Sequence, residues 1–520
     1  MKWSHVLVQI FYKARRTAIF CPAIFFLFAS GVGLSATFIV DTTLDDPTKT
    51  DCTLTSKDCS LRGAISAANA TPGKDLIQVP AGTYTLTNLG TGDDLNATGD
   101  LDITDSLTIE GAGYVETVID GGARDRIIHI PTGTGIGVIL YGLTLQNGSA
   151  PYGGGIANMG GDLTIKDCIV QENTAVGSSI GTIGGGILLD NDGMLTITNS
   201  FILNNRSGSA GGGIFVNQGM LNGTDINIMG NEASQDGGGI YMSNGVMTLL
   251  RSTIALNTAS SGAGGGILTF YPTYEGVTSL VNCTVNLNQA KDGGGLYLST
   301  SVPPGMEIRN CSIYGNEASQ DGGGIYYYNN AAGELIVVNS TIGLNKADRR
   351  GGGFYNKEGI AKMLFTTVTA NRADDDDDAT GDGGGFFREG GITQIKYTIL
   401  AENQDRGGEA PNCSGSLVIV GNNLVDDPSG CTFAGTGYVI TGLSPQLGTY
   451  GLHGNITGYY PLARTSPAVN ACIDCLDFFL ATVRQDQRGK LRPQAGRCDL
   501  GAYEVAHSMV PILIPLLLSY

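Results

Sequence analysis

Short apolar runs, alternating with polar residues, fill most of this chain and are broken at a regular interval by glycine. Residues Gly322 to Asp348 give the pattern in full. Ile325 to Tyr328 reads as a short strand, Asn329 to Gly333 as a turn, and Leu335 to Val338 as a second strand. Ser340-Thr341-Ile342 alternates small, polar and apolar into a third strand, and a turn begins at Asn345. A Gly-Gly-Gly triplet followed by an apolar residue opens this unit. It occurs nine times, starting at Gly153, Gly184, Gly211, Gly237, Gly264, Gly293, Gly322, Gly351 and Gly383, at spacings of 26 to 32 residues. A column of asparagines keeps step with it: Asn173, Asn205, Asn231, Asn257, Asn288, Asn316, Asn345, Asn371 and Asn403. A period in this range means stacked units, none of which buries its own core. No useful 3.6-residue periodicity appears, which excludes a parallel sheet linked by crossover helices. The prediction is an all-β fold, a single-stranded right-handed parallel β-helix running from about Tyr84 to Asn403. The stretch GNEASQDGGGIY occurs twice, at 230–241 and 315–326, which points to internal duplication.

The columns carry chemistry as well as shape. Stacked asparagines can hydrogen-bond along the axis and satisfy turn backbone. Cys168, Cys283 and Cys311 share one position with Ser200, Ser252, Ser340, Thr366 and Thr398, a small-residue column expected to face inward. Buried thiols are the expected state there. A Cys283–Cys311 disulfide is the alternative, because neighbouring rungs lie ~4.8 Å apart. Two positions past the last glycine of six of the triplets stand Phe215, Tyr241, Tyr297, Tyr326, Tyr355 and Phe387, either a packed surface ladder or a stripe for stacking on sugars or a partner protein.

Composition narrows the partners. The formal charge is −18, with only 15% charged residues and 79 glycines lacking the strict collagen period. An acidic surface argues against nucleic acid and anionic membrane. Residues 1–36 read as an export signal: a basic region to Arg16, an apolar run from Ala18 to Leu34, then small residues. Membrane contact is expected only through export or anchoring. Export permits disulfides. Cys52 lies near Cys59 and Cys413 near Cys431, and Cys498 has Cys472 or Cys475 as its expected partner.

Residues 38–86 contain FIVDTTLDD, CSLRGAISAANA and DLIQVPAGTYTL. This segment resembles the N-terminus of bacterial surface proteins named for a Cys-Ser-Leu-Arg-Glu-Ala motif. Cys59, Ser60, Leu61, Arg62, Ala64 and Ile65 match, and Gly63 stands where that group carries Glu. Leu61 to Ala70 is expected to form a short helix plugging the first rung, since an open solenoid end exposes its core. Leu107-Thr-Ile-Glu-Gly-Ala-Gly and Thr117-Val-Ile-Asp-Gly-Gly are similar to early rungs of pectin-lyase-like β-helices, and the triplet repeats resemble those of polymorphic outer membrane proteins. Ser466-Pro-Ala-Val-Asn, Asp486-Gln-Arg-Gly and Cys498-Asp-Leu-Gly-Ala-Tyr-Glu504 resemble the choice-of-anchor segment of exported β-helix proteins. The implied organisation is a signal at 1–36, a cap at 37–80, repeats at 81–410, a choice-of-anchor-like segment at 411–505 and an apolar tail at 506–520. That tail is either a sorting element or a flap on the scaffold. The twelve residues from Met509 are short of the ~20 that span a bilayer.

The resemblance to pectin-lyase-like enzymes implies where a site would lie: carboxylates on adjacent rungs holding calcium, with an Arg or Lys nearby as base. The candidate metal ligands are Asp292, Asp321, Asp374, Asp376, Asp378 and Asp382, with Arg350 and Asp321 as the candidate catalytic pair. Oxygen ligands at this density suit Ca²⁺, the one ion expected if any is bound. Against a site, Asp beside Gly is ordinary turn chemistry, and a run of five aspartates is commonly a solvated loop. The expectation is a monomeric, noncatalytic scaffold, secreted or held at the cell surface or outer membrane. Its partner would be an extracellular polysaccharide or a surface protein. The alternative is a polysaccharide lyase or hydrolase.

Overall fold

A computed structural model describes residues 35–506 apart from 134, 178–180, 271–275, 300–304, 331–332, 379 and 495. The expected export signal, up to residue 34, and the tail from residue 507 lie outside the described residues.

Every extended strand pair is parallel, and each strand bonds to its equivalent one rung away. Among the described residues the strands form three sheets of 24, 14 and 10 strands. One rung contributes Ile325–Tyr328 and Glu334–Val338 to the long sheet, Thr341–Gly343 to the second and Lys346–Ala347 to the third. The fourth strand is a correction to the sequence reading, which had a turn beginning at Asn345. The chain stays extended there because Glu317 and Ala318 pair with Lys346 and Ala347 on the next rung. Where no turn intervenes, the two long-sheet strands fuse, as in Ile214–Thr224 and Ile240–Leu250.

Each glycine of a triplet is required for a different reason. Gly322 has φ +72°, a conformation costly for any side chain. A Cβ on Gly323 would lie 2.1 Å from the Lys346 carbonyl oxygen of the next rung. On Gly324 it would lie 2.5 Å from the Gly353 carbonyl oxygen and 2.9 Å from the Asn345 amide nitrogen. The asparagines form one buried ladder. From Asn173 to Asn403, each Nδ2 donates to the Oδ1 of the next at 2.8–3.0 Å. Asn412, outside the periodic column, accepts from Asn403 at 2.9 Å and continues it.

The ladder of strands extends beyond residues 81–410 at both ends. It starts with Thr37–Ile39 on Asp75–Val79 and continues to Tyr438–Thr441 on Asn422–Val425. The expected helix, Leu61–Ala70, closes the first rung with Leu61, Ala64, Ile65 and Ala68 buried against Val40, Ile77 and Val79. Gly63 is explained here. A Cβ at that position would lie 1.8 Å from the Lys49 carbonyl oxygen, so a Glu has no room. Arg62 is fully buried, paired with Asp45 at 2.6 Å, and donates to the carbonyls of Gly99 and Asp100.

Disulfides join Cys52 to Cys59, Cys413 to Cys431 and Cys475 to Cys498. Cys168, Cys283, Cys311 and Cys472 are buried thiols. The open alternative at Cys283 and Cys311 resolves to thiols that behave as their serine equivalents do. Cys311 Sγ accepts from the Cys283 amide at 3.3 Å, as Ser340 Oγ accepts from the Cys311 amide at 3.1 Å. Burial pushes the Cys168 thiol up to about 11, far from the reactive thiolate. Alkylation followed by mass mapping is therefore expected to label none of these four thiols in the native protein and all four after unfolding. A bonded Cys168 would contradict the inward column.

Residues 442–506 turn back along the outside of the 14-stranded sheet. Tyr450 stacks on Tyr314 at 3.8 Å, and Gln487 donates to the Cys311 and Gly458 carbonyls while accepting from Thr341 at 2.7 Å. Ala502 donates to Thr367 at 3.0 Å. A second core forms beneath this clasp from Phe365, Tyr397, Ile399, Leu424, Ala468, Cys472 and Leu500. At its centre Arg492 and Glu504 pair at 2.9 Å, both essentially inaccessible to solvent. The terminal motif residues are thus the clasp's own hydrogen-bonding network. Asp486 accepts from the amides of Arg488, Lys490 and Glu504, and Ser466 donates to Pro445.

Candidate functional site

The residues just before the triplets stand at the turn between the third and the long sheet, one per rung. Gly293, Gly322 and Gly351 donate to the carbonyls of Asp321, Arg350 and Asp382, so Asp292, Asp321, Arg350 and Asp382 are consecutive along the axis. The local reason is backbone satisfaction. Asp292 Oδ1 accepts from the Asp321 amide at 3.2 Å, and Asp321 Oδ1 accepts from the Arg350 amide at 3.2 Å. Asp236 does the same for Ala263 at 2.8 Å.

Arg350 is held by two carboxylates and two rings, with its side chain 23% exposed. Its Nε donates to Asp321 Oδ1 at 3.1 Å and its Nη2 to Asp321 Oδ2 at 2.9 Å. Its Nη1 donates to Glu389 at 3.0 Å, and the guanidinium lies 5.3 Å and 5.0 Å from the ring centroids of Tyr355 and Phe387. Burial works to lower its pKa, but the hydrogen bonds and charge of Asp321, together with Tyr355 and Glu389, hold Arg350 above its ordinary value. Glu389 also meets Lys357 and the Tyr355 hydroxyl. Sequence reasoning missed Glu389 because it belongs to no column. It reaches Arg350 from the turn after Phe386–Arg388, on the neighbouring rung.

The aspartates divide into separate groups. Oxygens of Asp374, Asp376 and Asp378 lie within 4.8 Å of one another, while Asp382 gathers instead with Asp405 and Glu409 at the same limit. Among the described residues, neither group takes in Asp292 or Asp321. Burial, and then the charge of Asp321, holds the Asp292 carboxyl above its usual range. Burial, Asp405 and Glu409 do the same for Asp382. The five-aspartate run is the solvated loop expected of it only in part: Asp376, Asp377 and Asp378 are exposed, and the first two aspartates are not. Asp374 is 1% exposed, and Asp375 pairs with Arg372 and faces Lys346 at 3.9 Å and Arg406 at 3.7 Å. The run folds back because the pairing of Lys346 with Arg372 brings basic side chains from successive rungs beside it. Each group offers hard oxygen ligands of the kind calcium takes.

The aromatic column is a packed ladder in which rings cover one another's faces. Centroids are 4.8 Å apart for Phe215 and Tyr241, 4.6 Å for Tyr297 and Tyr326, 4.7 Å for Tyr326 and Tyr355, and 5.5 Å for Tyr355 and Phe387. Leu268 takes the place between Tyr241 and Tyr297.

This architecture defines a β-solenoid whose rungs carry their chemistry in axial columns. Residues 156–369 match the family model described as the right handed beta helix region, and the solenoid is a right-handed parallel β-helix. Among solved structures, the chain is similar to pectate lyase Pel9A, with 14% identity over 91% of this chain and 97% of that one, at a TM-score of 0.33. It is also similar to the A-module of the mannuronan C-5 epimerase AlgE6 of Azotobacter vinelandii, with 14% identity over 78% of this chain and 98% of that one, at a TM-score of 0.37. At these identities and scores no activity is transferred from either. None of the curated proteins matches this chain.

Proposed function

We propose that this chain is a noncatalytic, exported β-helix scaffold, displayed at the cell surface or secreted, that serves adhesion or interaction. The observation that carries this reading is the state of Arg350. A guanidinium that abstracts a proton must be free to lose its own and to approach a substrate. Arg350 is instead closed by Asp321 and Glu389 and laid against two rings. Three disulfides fit an oxidising compartment. Among the described residues no helix is long and apolar enough to cross a membrane. The partner is an extracellular polysaccharide or a surface protein. The second reading, a polysaccharide lyase or hydrolase, draws its support from the two carboxylate groups around Asp376 and Asp382.

The test is incubation of the purified chain, without its export signal, with a panel of neutral and acidic polysaccharides, with and without calcium. Binding without new reducing ends or unsaturated products is the expected outcome. Arg350→Met is expected to leave that binding unchanged. It should cost about 1–2 kcal/mol of stability, read by chemical denaturation, because Asp321 loses its partner while partly buried. Lyase or hydrolase activity that Arg350→Met or Asp321→Asn abolishes would overturn the scaffold reading.

A further inference from the structure

Between the strands Gly82–Thr85 and Leu101–Asp102, a loop crosses the outside of the first rungs. It is folded on Asp93, whose carboxylate accepts from the amides of Leu95, Ala97 and Thr98. This turn holds Asp94 over the strand pair beneath. In that pair Asp102 sits directly beside His129. His129 Nδ1 lies 2.9 Å from Asp102 Oδ1 and 3.4 Å from Asp94 Oδ1, and all three atoms fall within 4.8 Å of one another. The ligands to a single ion at ~2.1 Å would be separated by about 3.0 Å at right angles and about 3.4 Å at the tetrahedral angle. The three atoms therefore have the spacing of one face of a coordination sphere. Asp94 is largely exposed, which leaves the opposite side open to water.

A further buried carboxylate lies near the same strand pair. Asp125 is 8% exposed, and its charge acts on both Asp102 and His129. Its Oδ1 accepts from the Arg126 amide, but its Oδ2 is buried without a hydrogen-bond partner. That oxygen is turned toward the base of the loop, where a Cβ on Gly99 would lie 2.6 Å from it. Charge points the same way. Asp94, Asp100, Asp102 and Asp125 converge here, Arg126 is paired with Asp100 at 2.8 Å, and the buried Arg62 is paired with Asp45. Asp94, Asp102 and Asp125 remain against one imidazole; of these Asp102 and Asp125 are buried, and burying uncompensated charge is costly. Asp102 is oriented from behind, since its Oδ2 accepts from the Asn96 amide at 3.0 Å, as second-shell bonds orient metal ligands.

We propose that Asp94, Asp102 and His129 form a binding site for a divalent transition-metal ion of the zinc class, which clips the 87–99 loop to the capped end of the solenoid. The imidazole nitrogen sets the class: calcium takes oxygen ligands, whereas two carboxylates and a histidine suit zinc. The site is remote in sequence from the candidate carboxylates near Asp376, and it does not depend on the scaffold reading.

The experiment is calorimetric titration of the full mature chain, stripped with chelator, with Zn²⁺, Mn²⁺ and Ca²⁺ in turn. It is run on wild type, Asp94→Asn and His129→Gln. Asp94 is on an exposed turn, so Asp94→Asn folds whatever the site does. One zinc equivalent is expected in wild type, with affinity falling by at least about 10-fold in each variant and thermal protection by zinc falling with it. Cobalt substitution is expected to give visible d–d bands that His129→Gln alters. The proposal is overturned if wild type takes up no zinc, or if zinc binds equally in Asp94→Asn. It is equally overturned if calcium is preferred and His129→Gln leaves binding untouched, which would place the cation on the other carboxylates.

Discussion

Replacing Asn288 by leucine is expected to destabilise the solenoid by about 5 kcal/mol and to open the rungs on either side of the substitution. Asn288 Oδ1 accepts from both the backbone and the side-chain nitrogens of Asn257 at 3.0 Å. Its Nδ2 donates to the Ile254 carbonyl at 3.0 Å and to Asn316 Oδ1 at 2.9 Å. Leucine fits the volume and meets none of these needs. It leaves the buried Asn257 amide without its partner, at about 1–3 kcal/mol, and removes one hydrogen bond each, at about 1 kcal/mol, from Asn257 Nδ2, which keeps the Ile228 carbonyl, from the Ile254 carbonyl and from Asn316 Oδ1. Solenoid stability is a sum of nearest-neighbour terms, so the loss is local. Hydrogen exchange should show protection falling first between residues 250 and 320, with the urea midpoint falling in parallel. Asn222→Leu, at an exposed position, is the control and should change stability by no more than about 0.5 kcal/mol. Equal effects in the two variants would remove the ladder from the account of stability.

Gly323→Ala is expected to cost about 4 kcal/mol or more, or to prevent folding of the C-terminal rungs. The conflict is steric. The new Cβ would lie 2.1 Å from the Lys346 carbonyl oxygen, 2.5 Å from its carbon and 2.6 Å from the Gly352 carbonyl oxygen. All three atoms are backbone held in the parallel ladder, so no rotamer change relieves the contact, and losses of this size come from such overpacking. Gly137→Ala is the comparison, because nothing lies within 4 Å of a Cβ at that position. Thermal unfolding of the two variants checks the point. If Gly323→Ala melts with Gly137→Ala, the rungs are looser than the strand register implies.

Much of this was legible before any coordinate because one local demand repeats in every rung. The Asn ladder, the inward Cys/Ser/Thr column and the order of Asp292, Asp321, Arg350 and Asp382 all follow from equivalent positions stacking in register. The reading failed where a segment has no period. It treated Asp374 to Asp378 as one solvated run, which holds for the exposed Asp376 to Asp378 but not for Asp374 and Asp375, because a charge run alone does not show that Arg372, Lys346 and Arg406 stand beside its first part. It left the partner of Cys498 open because three cysteines clustered near the chain end satisfy the spacing equally well. The clasp selects Cys475 and buries Cys472, whose amide donates to the Cys498 carbonyl at 3.1 Å.

By itself the sequence determined the rung. Its period, its glycine corners and its buried asparagine column are set by contacts between residues that occupy the same position in successive repeats, so the repeat contains the information. Tertiary structure decided what lies on the rungs: Glu389 closing Arg350, the clasp sealing a second core around Arg492 and Glu504, Lys49 excluding a side chain at position 63, and the 87–99 loop setting Asp94 over Asp102 and His129. Each joins residues with no common register, through the path of a loop or terminal segment across the scaffold, and no spacing along the chain encodes that path.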